Sequence, residues 1–304
     1  RLVTRSDFDG LACAMMLREL GLIEDIKFVH PKDVQDGKVE LSENDITTNL
    51  PYDPRVGLAF DHHASETERL MAQETGGKYI IDPKARSAAR VVYDYYGGAK
   101  TFRRVSPELL DAVDKGDSAD FTLDEILNPK GWVLLHYLMD PRTGLGRFRQ
   151  FRISNYDLMM ELIGYCTNHG IDQILELPDV KERVDLYFEQ ADLFVEQLKR
   201  IAVIHDKVVV LDLRNEEDIH AGNRFMIYAL YPQTEISVHV AWGFRKQNTA
   251  VMIGKSIVNK NSQVDIGALC LKYGGGGHHN AGTCQLENDA VDAQLPEIIA
   301  AINA

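Results

Sequence analysis

Cysteine is sparse in this chain of 304 residues. Cys13, Cys166, Cys270 and Cys284 lie far apart with no C-x-x-C pair. That spacing argues against a disulfide framework or a zinc ribbon, and we expect reduced core thiols in a cytoplasmic protein. Long apolar runs are also missing. No stretch approaches the roughly 18 residues of a membrane span, and no basic-then-apolar signal opens the chain, so no membrane partner is expected. The sequence begins abruptly at Arg1 in a strand-like run, which leads us to expect a few residues upstream. Positive charge is short as well: 33 Lys and Arg face 46 Asp and Glu, a formal net charge of −13. A protein that tracks long duplex nucleic acid needs a basic surface to neutralise phosphates. This chain lacks one, so a polyanionic substrate must be short, or met by local cations or metals. Neither an internal repeat nor a low-complexity tract is visible.

What is present reads as two domains, the better prior at this length. In the first half, strand-like runs ("RLVT", "IKFVH", "DITTNL", "VGLAF") alternate with helical ones ("GLACAMMLRELG", "ARSAARVVYDYYGG"). Such alternation predicts an α/β fold with a mostly parallel N-terminal sheet flanked by helices. Ligands of these sheets gather outside the carboxyl ends of the strands. Residues from about Ser106 to His169 read as mainly helical, and one long helix starts at Pro178. Beyond it "KVVVLDL", "RFMIYALYP", "EISVHVAWGF" and "TAVMIGKSI" read as β, followed by "VDIGALCLKYG" and "VDAQLPEIIAAI" as helices. The boundaries are therefore 1–180 for the first domain, 181–205 for a linker helix, and 206–304 for a smaller C-terminal α/β domain.

Four stretches carry chemistry. In "TRSDFDG", alternate side chains of an extended segment face one way, so Asp7 and Asp9 can address one ion. The plainer reading makes Asp9 a helix N-cap. "GLAFDHHASE" sets Asp61, His62 and His63 side by side at a strand end. Adjacent strand residues point oppositely, so one imidazole is read as a ligand and the next as facing the substrate. A mixed carboxylate–imidazole set favours Mn²⁺, Fe²⁺, Co²⁺ or Zn²⁺ over Mg²⁺ or Ca²⁺. "AVDKGDSADF" offers Asp114, Asp117 and Asp120; Asp114 leaves the helix "PELLDAV" and can project into a cleft, although a solvated acidic loop is the common alternative. "YGGGGHHNAGTC" removes side chains over four glycines, so the amides of Gly275, Gly276 and Gly277 can converge on an anion beside His278. Lys255 and Ser256, after "AVMIG", can add a cation and a hydroxyl to the same anion.

Together these residues resemble the DHH phosphoesterase superfamily, in the branch with a C-terminal DHH-associated domain. That branch holds oligoribonucleases and exopolyphosphatase-like proteins. The matching motifs are Asp7-x-Asp9, Asp61-His62-His63, Asp114 and "GGGGHHNAG", in the family's order across most of the chain. The resemblance implies a metal-dependent phosphoesterase, with the active cleft between a DHH domain and a DHH-associated domain. It implies that the N-terminal acids and His62 bind Mn²⁺, one or two ions, with Mg²⁺, Co²⁺ or Zn²⁺ as alternatives. His63 would then assist the phosphoryl transfer, and the glycine-rich block would hold a phosphate end.

Two positions depart from the pattern. Arg5 stands where such proteins often carry histidine. The second-motif aspartate is met by Asn49 near the end of "DITTNL" or by Asp45 at its start. A strand rise puts those two about 13 Å apart, so Asn49 is placed at the motif and Asp45 is the rival. Both departures weaken one metal position, and Arg5 is expected to stand in for a cation by pairing with Asp7 or phosphate. The leading reading is hydrolysis of short oligonucleotides or phosphorylated nucleotides. A polyphosphate hydrolase and a catalytically weakened nucleotide sensor are the alternatives, and monomer and homodimer both stay open.

Overall fold

The run "LVTR" forms an interior strand of a five-stranded parallel sheet. The structure, a computed structural model, describes residues 1–63 and 78–304. The chain divides into two units, Arg1–Phe121 with Pro129–Leu186, and Thr122–Asn128 with Tyr187–Ala304.

In the first unit β1 (Leu2–Arg5), β2 (Ile26–Val29), β3 (Ile46–Thr48), β4 (Leu58–Asp61) and β5 (Tyr79–Ile81) lie in the order β2-β1-β3-β4-β5. Every pairing is parallel. The chain steps from β1 to one side and then returns to the other, which makes the β1/β3 junction the point where the order reverses. Side chains at the carboxyl ends of these strands are the ones such a fold presents to ligands. Helix α1 (Phe8–Glu19) follows β1 and is buried from Phe8 through Leu17, as a helix apolar on every side must be. The short α2 (Pro31–Gln35) follows β2, and α3 (Ala88–Tyr95) begins at the N-cap Ser87, whose hydroxyl accepts from the Arg90 amide. Helix α4 (Pro107–Ser118) starts with a proline in its first turn after the cap Ser106. It ends where Ala119 turns left-handed at φ +54°. After α5 (Leu123–Leu127), helices α6 (Gly131–Met139), α7 (Asn155–Asn168) and α8 (Ile171–Leu175) return to the first unit. The long α9 (Pro178–Ile201) contains the division between Leu186 and Tyr187.

The second unit holds β6 (Ala202–His205), β7 (Val208–Asp212), β8 (Ile236–Trp242), β9 (Thr249–Lys255), β10 (Gly276–His278) and β11 (Ala281–Leu286). They form a mixed sheet in the order β10-β11-β9-β8-β7-β6, with only β7 and β8 parallel. Its core joins Val208, Val238, Val251 and Ile253 to residues of α11 (Ile266–Leu271) and α12 (Val291–Asn303).

One strand expectation is corrected. "RFMIYALYP" is not β; it holds the helical turn α10 (Met226–Leu230). The Asn223 side chain accepts from the Phe225 amide and its carbonyl from the Met226 amide, so a local Asx turn bends the backbone away from the sheet. The four cysteines are buried free thiols. Among the described residues no helix is long and apolar enough to cross a membrane.

Candidate active site

Strand register assembles the site. Thr4, Thr48 and Phe60 lie level on β1, β3 and β4, so the next residues, Arg5, Asn49 and Asp61, form one row at the carboxyl edge. Asp7 then caps α1, its Oδ1 accepting from the Gly10 amide at 3.0 Å. Glycine is required at position 10 because a Cβ would sit 2.1 Å from the Arg5 carbonyl oxygen. That close approach lets α1 start directly off β1 and brings Asp9, in its first turn, under the same edge.

Asp9, His62 and Asp117 each offer a ligand atom within 4.8 Å of the others. His62 Nε2 stands 2.7 Å from Asp117 Oδ2. The two groups form an ion pair with poor hydrogen-bond alignment at the buried Nε2. On the other side of the ring, Nδ1 lies 3.3 Å from the Ala85 carbonyl. With Nδ1 on that carbonyl, Nε2 is the nitrogen aimed at the acids, and it becomes a metal ligand once its proton is released. Asp9 is buried and accepts from the Ala88 amide (3.1 Å) and the Ala89 amide (2.7 Å), the first two of α3.

These acids crowd one another. Burial, then the charges of Asp117 and Asp7, push the Asp9 carboxyl up to about 8. Burial likewise raises Asp7, although Arg5 opposes it. Burial disfavours a charged His62, yet nearby Asp117, Asp9 and Asp61 outweigh it and push the imidazole up to about 9. The same imidazole, against burial, holds Asp117 below the usual carboxylate range. Excess negative charge in low dielectric calls for a cation. The donor set fits one: carboxylate oxygens, an imidazole nitrogen aimed at them, and the amide of Asn49. That amide is 1 % exposed, and neither its oxygen nor its nitrogen has a hydrogen-bond partner. Asn49 also sits at φ +54°, a left-handed position that asparagine tolerates.

The remaining predicted residues divide. Asp45 is at the amino end of β3, engaged by Arg1 (2.8 Å) and by the Ser42 amide (2.7 Å) and hydroxyl. It is away from the edge, and Asn49 is at it. Arg5 Nε pairs with Asp7 Oδ2 at 3.1 Å. Asp61 Oδ1 accepts from the His62 amide and faces His63 Nδ1 at 2.7 Å, while Oδ2 accepts from the Tyr79 hydroxyl. Asp114 is a correction. Its Oδ1 accepts from Ser87 and its Oδ2 from Arg90 Nε and Nη2 at 2.9 and 2.6 Å, so it braces the start of α3. Asp117 reaches His62 instead, because α4 continues through Gly116 rather than ending at Val113.

No family model and no curated protein matches the sequence. Among solved structures, the pGpG-specific phosphodiesterase PggH from Vibrio cholerae is 56% identical over 100% of this chain and 98% of its own, with a TM-score of 0.85. The chain belongs to the DHH phosphoesterase superfamily. An exopolyphosphatase-related protein from Bacteroides fragilis shares the fold at 11% identity, covering 99% of this chain and 91% of that one with a TM-score of 0.54. The DHH triplet thus sits in a DHH fold, and the chain is a phosphoesterase.

The glycine-rich block of this DHH protein forms an edge strand, β10, hairpinned against β11. A Cβ on Gly275 would meet the Thr283 carbonyl oxygen at 2.2 Å, and one on Gly277 the Ala281 carbonyl oxygen at 2.3 Å; Gly276 faces open space. His278 is exposed, and its Nδ1 accepts from the Asn280 amide. Lys255 Nζ lies 2.8 Å from His279 Nε2 and donates to the Ser262 carbonyl. Ser256 is a second correction: it is buried, and its hydroxyl accepts from the Val258 and Asn259 amides, shaping a turn. Sequence reading named Asp117 beside Asp114 and Asp120 but chose Asp114. The helical spacing of Asp114 and Asp117 was the available signal.

Proposed function

We propose that this chain is a divalent-metal-dependent phosphodiesterase of short oligonucleotides, with pGpG, the substrate named for PggH, as its substrate. The observation that carries it is the buried cluster of Asp9, His62 and Asp117 in a chain 56% identical to that enzyme. Asp7, Asp9, His62 and Asp117 would hold the ion, with the Asn49 amide oxygen beside them. Such an ion supplies Lewis-acid charge to a phosphoryl oxygen and acidifies water. Asp61 orients His63, and against burial its charge raises the His63 imidazole above its ordinary value. A cationic His63 can donate to a phosphoryl oxygen and hand its proton to the departing ester oxygen. Water's oxygen bonds to phosphorus, the ester bond breaks, and two guanosine monophosphates leave. Lys255, the amides of Gly276 and Gly277 and His278 bind substrate phosphate, the Gly275 amide being spent on the Cys270 carbonyl, and the cytoplasm is where such a substrate is met.

Arg5 already neutralises Asp7, and Asn49 brings no charge, so one ion per chain is the reading we favour. Chromatography of pGpG, pApA and polyphosphate incubated with Mn²⁺, Mg²⁺, Co²⁺, Zn²⁺ or EDTA tests the activity. Guanosine monophosphate should form only with a divalent ion. An unchanged rate in EDTA, or polyphosphate cleaved as fast as pGpG, overturns the proposal. Elemental analysis should return one transition ion per chain, rising toward two in the double variant Arg5→His/Asn49→Asp; two in the parent would sink the one-ion reading.

A further inference from the structure

A cavity of about 960 Å³ opens beside Arg5 and Asp7, wholly within the first unit. It lies outside the carboxyl ends of β1 and β2 and is closed by α2 and by the segment Asp140–Arg142. Its size is at the upper end of the roughly 300–1,000 Å³ of small-molecule sites. In a chain of net charge −13, four cationic side chains line this one space: Arg5, Lys27, Lys38 and Arg142. They outnumber the three carboxylates of the same wall, Asp7, Asp33 and Asp140, by one, a local balance that suits an anionic ligand. Phe28, packed edge-on against Tyr156, gives the wall an aromatic member.

The carboxylates of the wall separate the candidates for base recognition. Asp7 is paired with Arg5 at the catalytic edge. Asp140 is buried and locked by Arg142, accepting from its amide, Nε and Nη2 at 2.7–2.9 Å. Asp33 is different. Its side chain is 49 % exposed, and its closest cation is Lys38 Nζ at 3.9 Å, an ammonium that lies nearer Asp36 at 2.9 Å. The Asp33 oxygens are thus the least committed acceptors in the cavity. Guanine presents two adjacent donors, N1–H and the 2-amino group, on its Watson–Crick edge, which a carboxylate accepts as a pair. Adenine presents a bare N1 acceptor there and would face the carboxylate lone pair to lone pair. The nearby ammonium groups suit the guanine O6 and N7 acceptors.

We propose that this cavity binds one nucleotide of the linear dinucleotide and that Asp33 selects guanine there. The inference rests on the phosphodiesterase reading and names the residue that would give it base specificity. Calorimetric titration of the full chain with GMP, AMP and guanosine, without divalent ion, tests it independently of turnover. GMP should bind at least about ten-fold more tightly than AMP, the discrimination of one good base contact. Asp33→Asn should collapse that ratio toward one while leaving AMP affinity within about three-fold, with unchanged thermal unfolding. Lys38→Ala should weaken GMP and AMP together. Equal binding of GMP and AMP by the parent overturns the proposal. So does a ratio untouched by Asp33→Asn, or one abolished by His278→Ala alone. A chain that cleaves pGpG yet shows no Asp33 effect loses only this inference; one that shows the Asp33 effect without cleaving pGpG loses only the reading above.

Discussion

The motifs "FDHH" and "GGGGHHNAG" both pair histidines with small or acidic neighbours, yet they fold into opposite situations. Around His62 the polar groups are buried and carry more acids than cations: Asp9, Asp7 and Asp117 crowd together against His62 and Arg5, and the Asn49 amide has no hydrogen-bond partner. Around His278 the histidines are exposed, and the glycines Gly275 and Gly277 are fixed by neighbours that leave no room for a methyl. The difference teaches that a rare sequence pattern need not be where the strongest chemistry lies. Two of the four glycines, Gly275 and Gly277, first serve the close passage against β11, and ligand binding is left to what remains exposed. Buried and unbalanced charge is the stronger sign, because the fold tolerates it only where a ligand will balance it.

The comparison breaks most visibly at Asp117. Asp117→Asn or His62→Ala should lower kcat for pGpG by well over 100-fold, since even a partner behind a metal ligand is worth about 10–100-fold. Asp114→Asn should fall inside that lower range, because Asp114 supports Ser87 and Arg90. Equal losses at the two positions would return Asp114 to the centre. Next comes pH. Without an ion, Asp9 is pushed up to about 8 and His62 up to about 9. Each must release its proton to become a ligand, so Mn²⁺ affinity should climb from pH 7 to about 9 and then level off. Calorimetry in buffers of different ionisation enthalpy would show the released protons; a pH-independent affinity would contradict the crowding. The smallest effects belong to the glycines. Gly275→Ala should destabilise by about 1–3 kcal/mol through overpacking against Thr283, while Gly276→Ala should stay within about 0.5 kcal/mol. If Gly276→Ala also leaves KM for pGpG unchanged, the exposed edge of β10 does not bind phosphate.

Much of this was legible in one dimension. Alternating runs predicted the parallel sheet, and the strand rise placed Asn49 rather than Asp45 at the edge, where β3 delivers it. Arg5 was expected to meet Asp7 and does. Asp114 and Asp117 were not resolved because the choice depends on where α4 ends. Gly116 reads as a stop, but it lies inside the helix where His136 packs against it, and the left-handed residue is Ala119. Ser256 failed for a related reason: a serine after a strand offers a hydroxyl equally to a ligand or to its own turn. "RFMIYALYP" is apolar enough for either period, and the Asx turn at Asn223 decides it.

The two amides that Asp9 accepts have a consequence for observation. Ala88 and Ala89 open α3, and their N–H groups end on the carboxylate that faces His62 and Asp117. Whatever draws on that carboxylate polarises those two bonds. Their amide resonances and exchange rates are therefore built-in reporters of the centre, readable in a spectrum without substrate. A helix that supplies no ligand of its own would register each arrival and departure of charge.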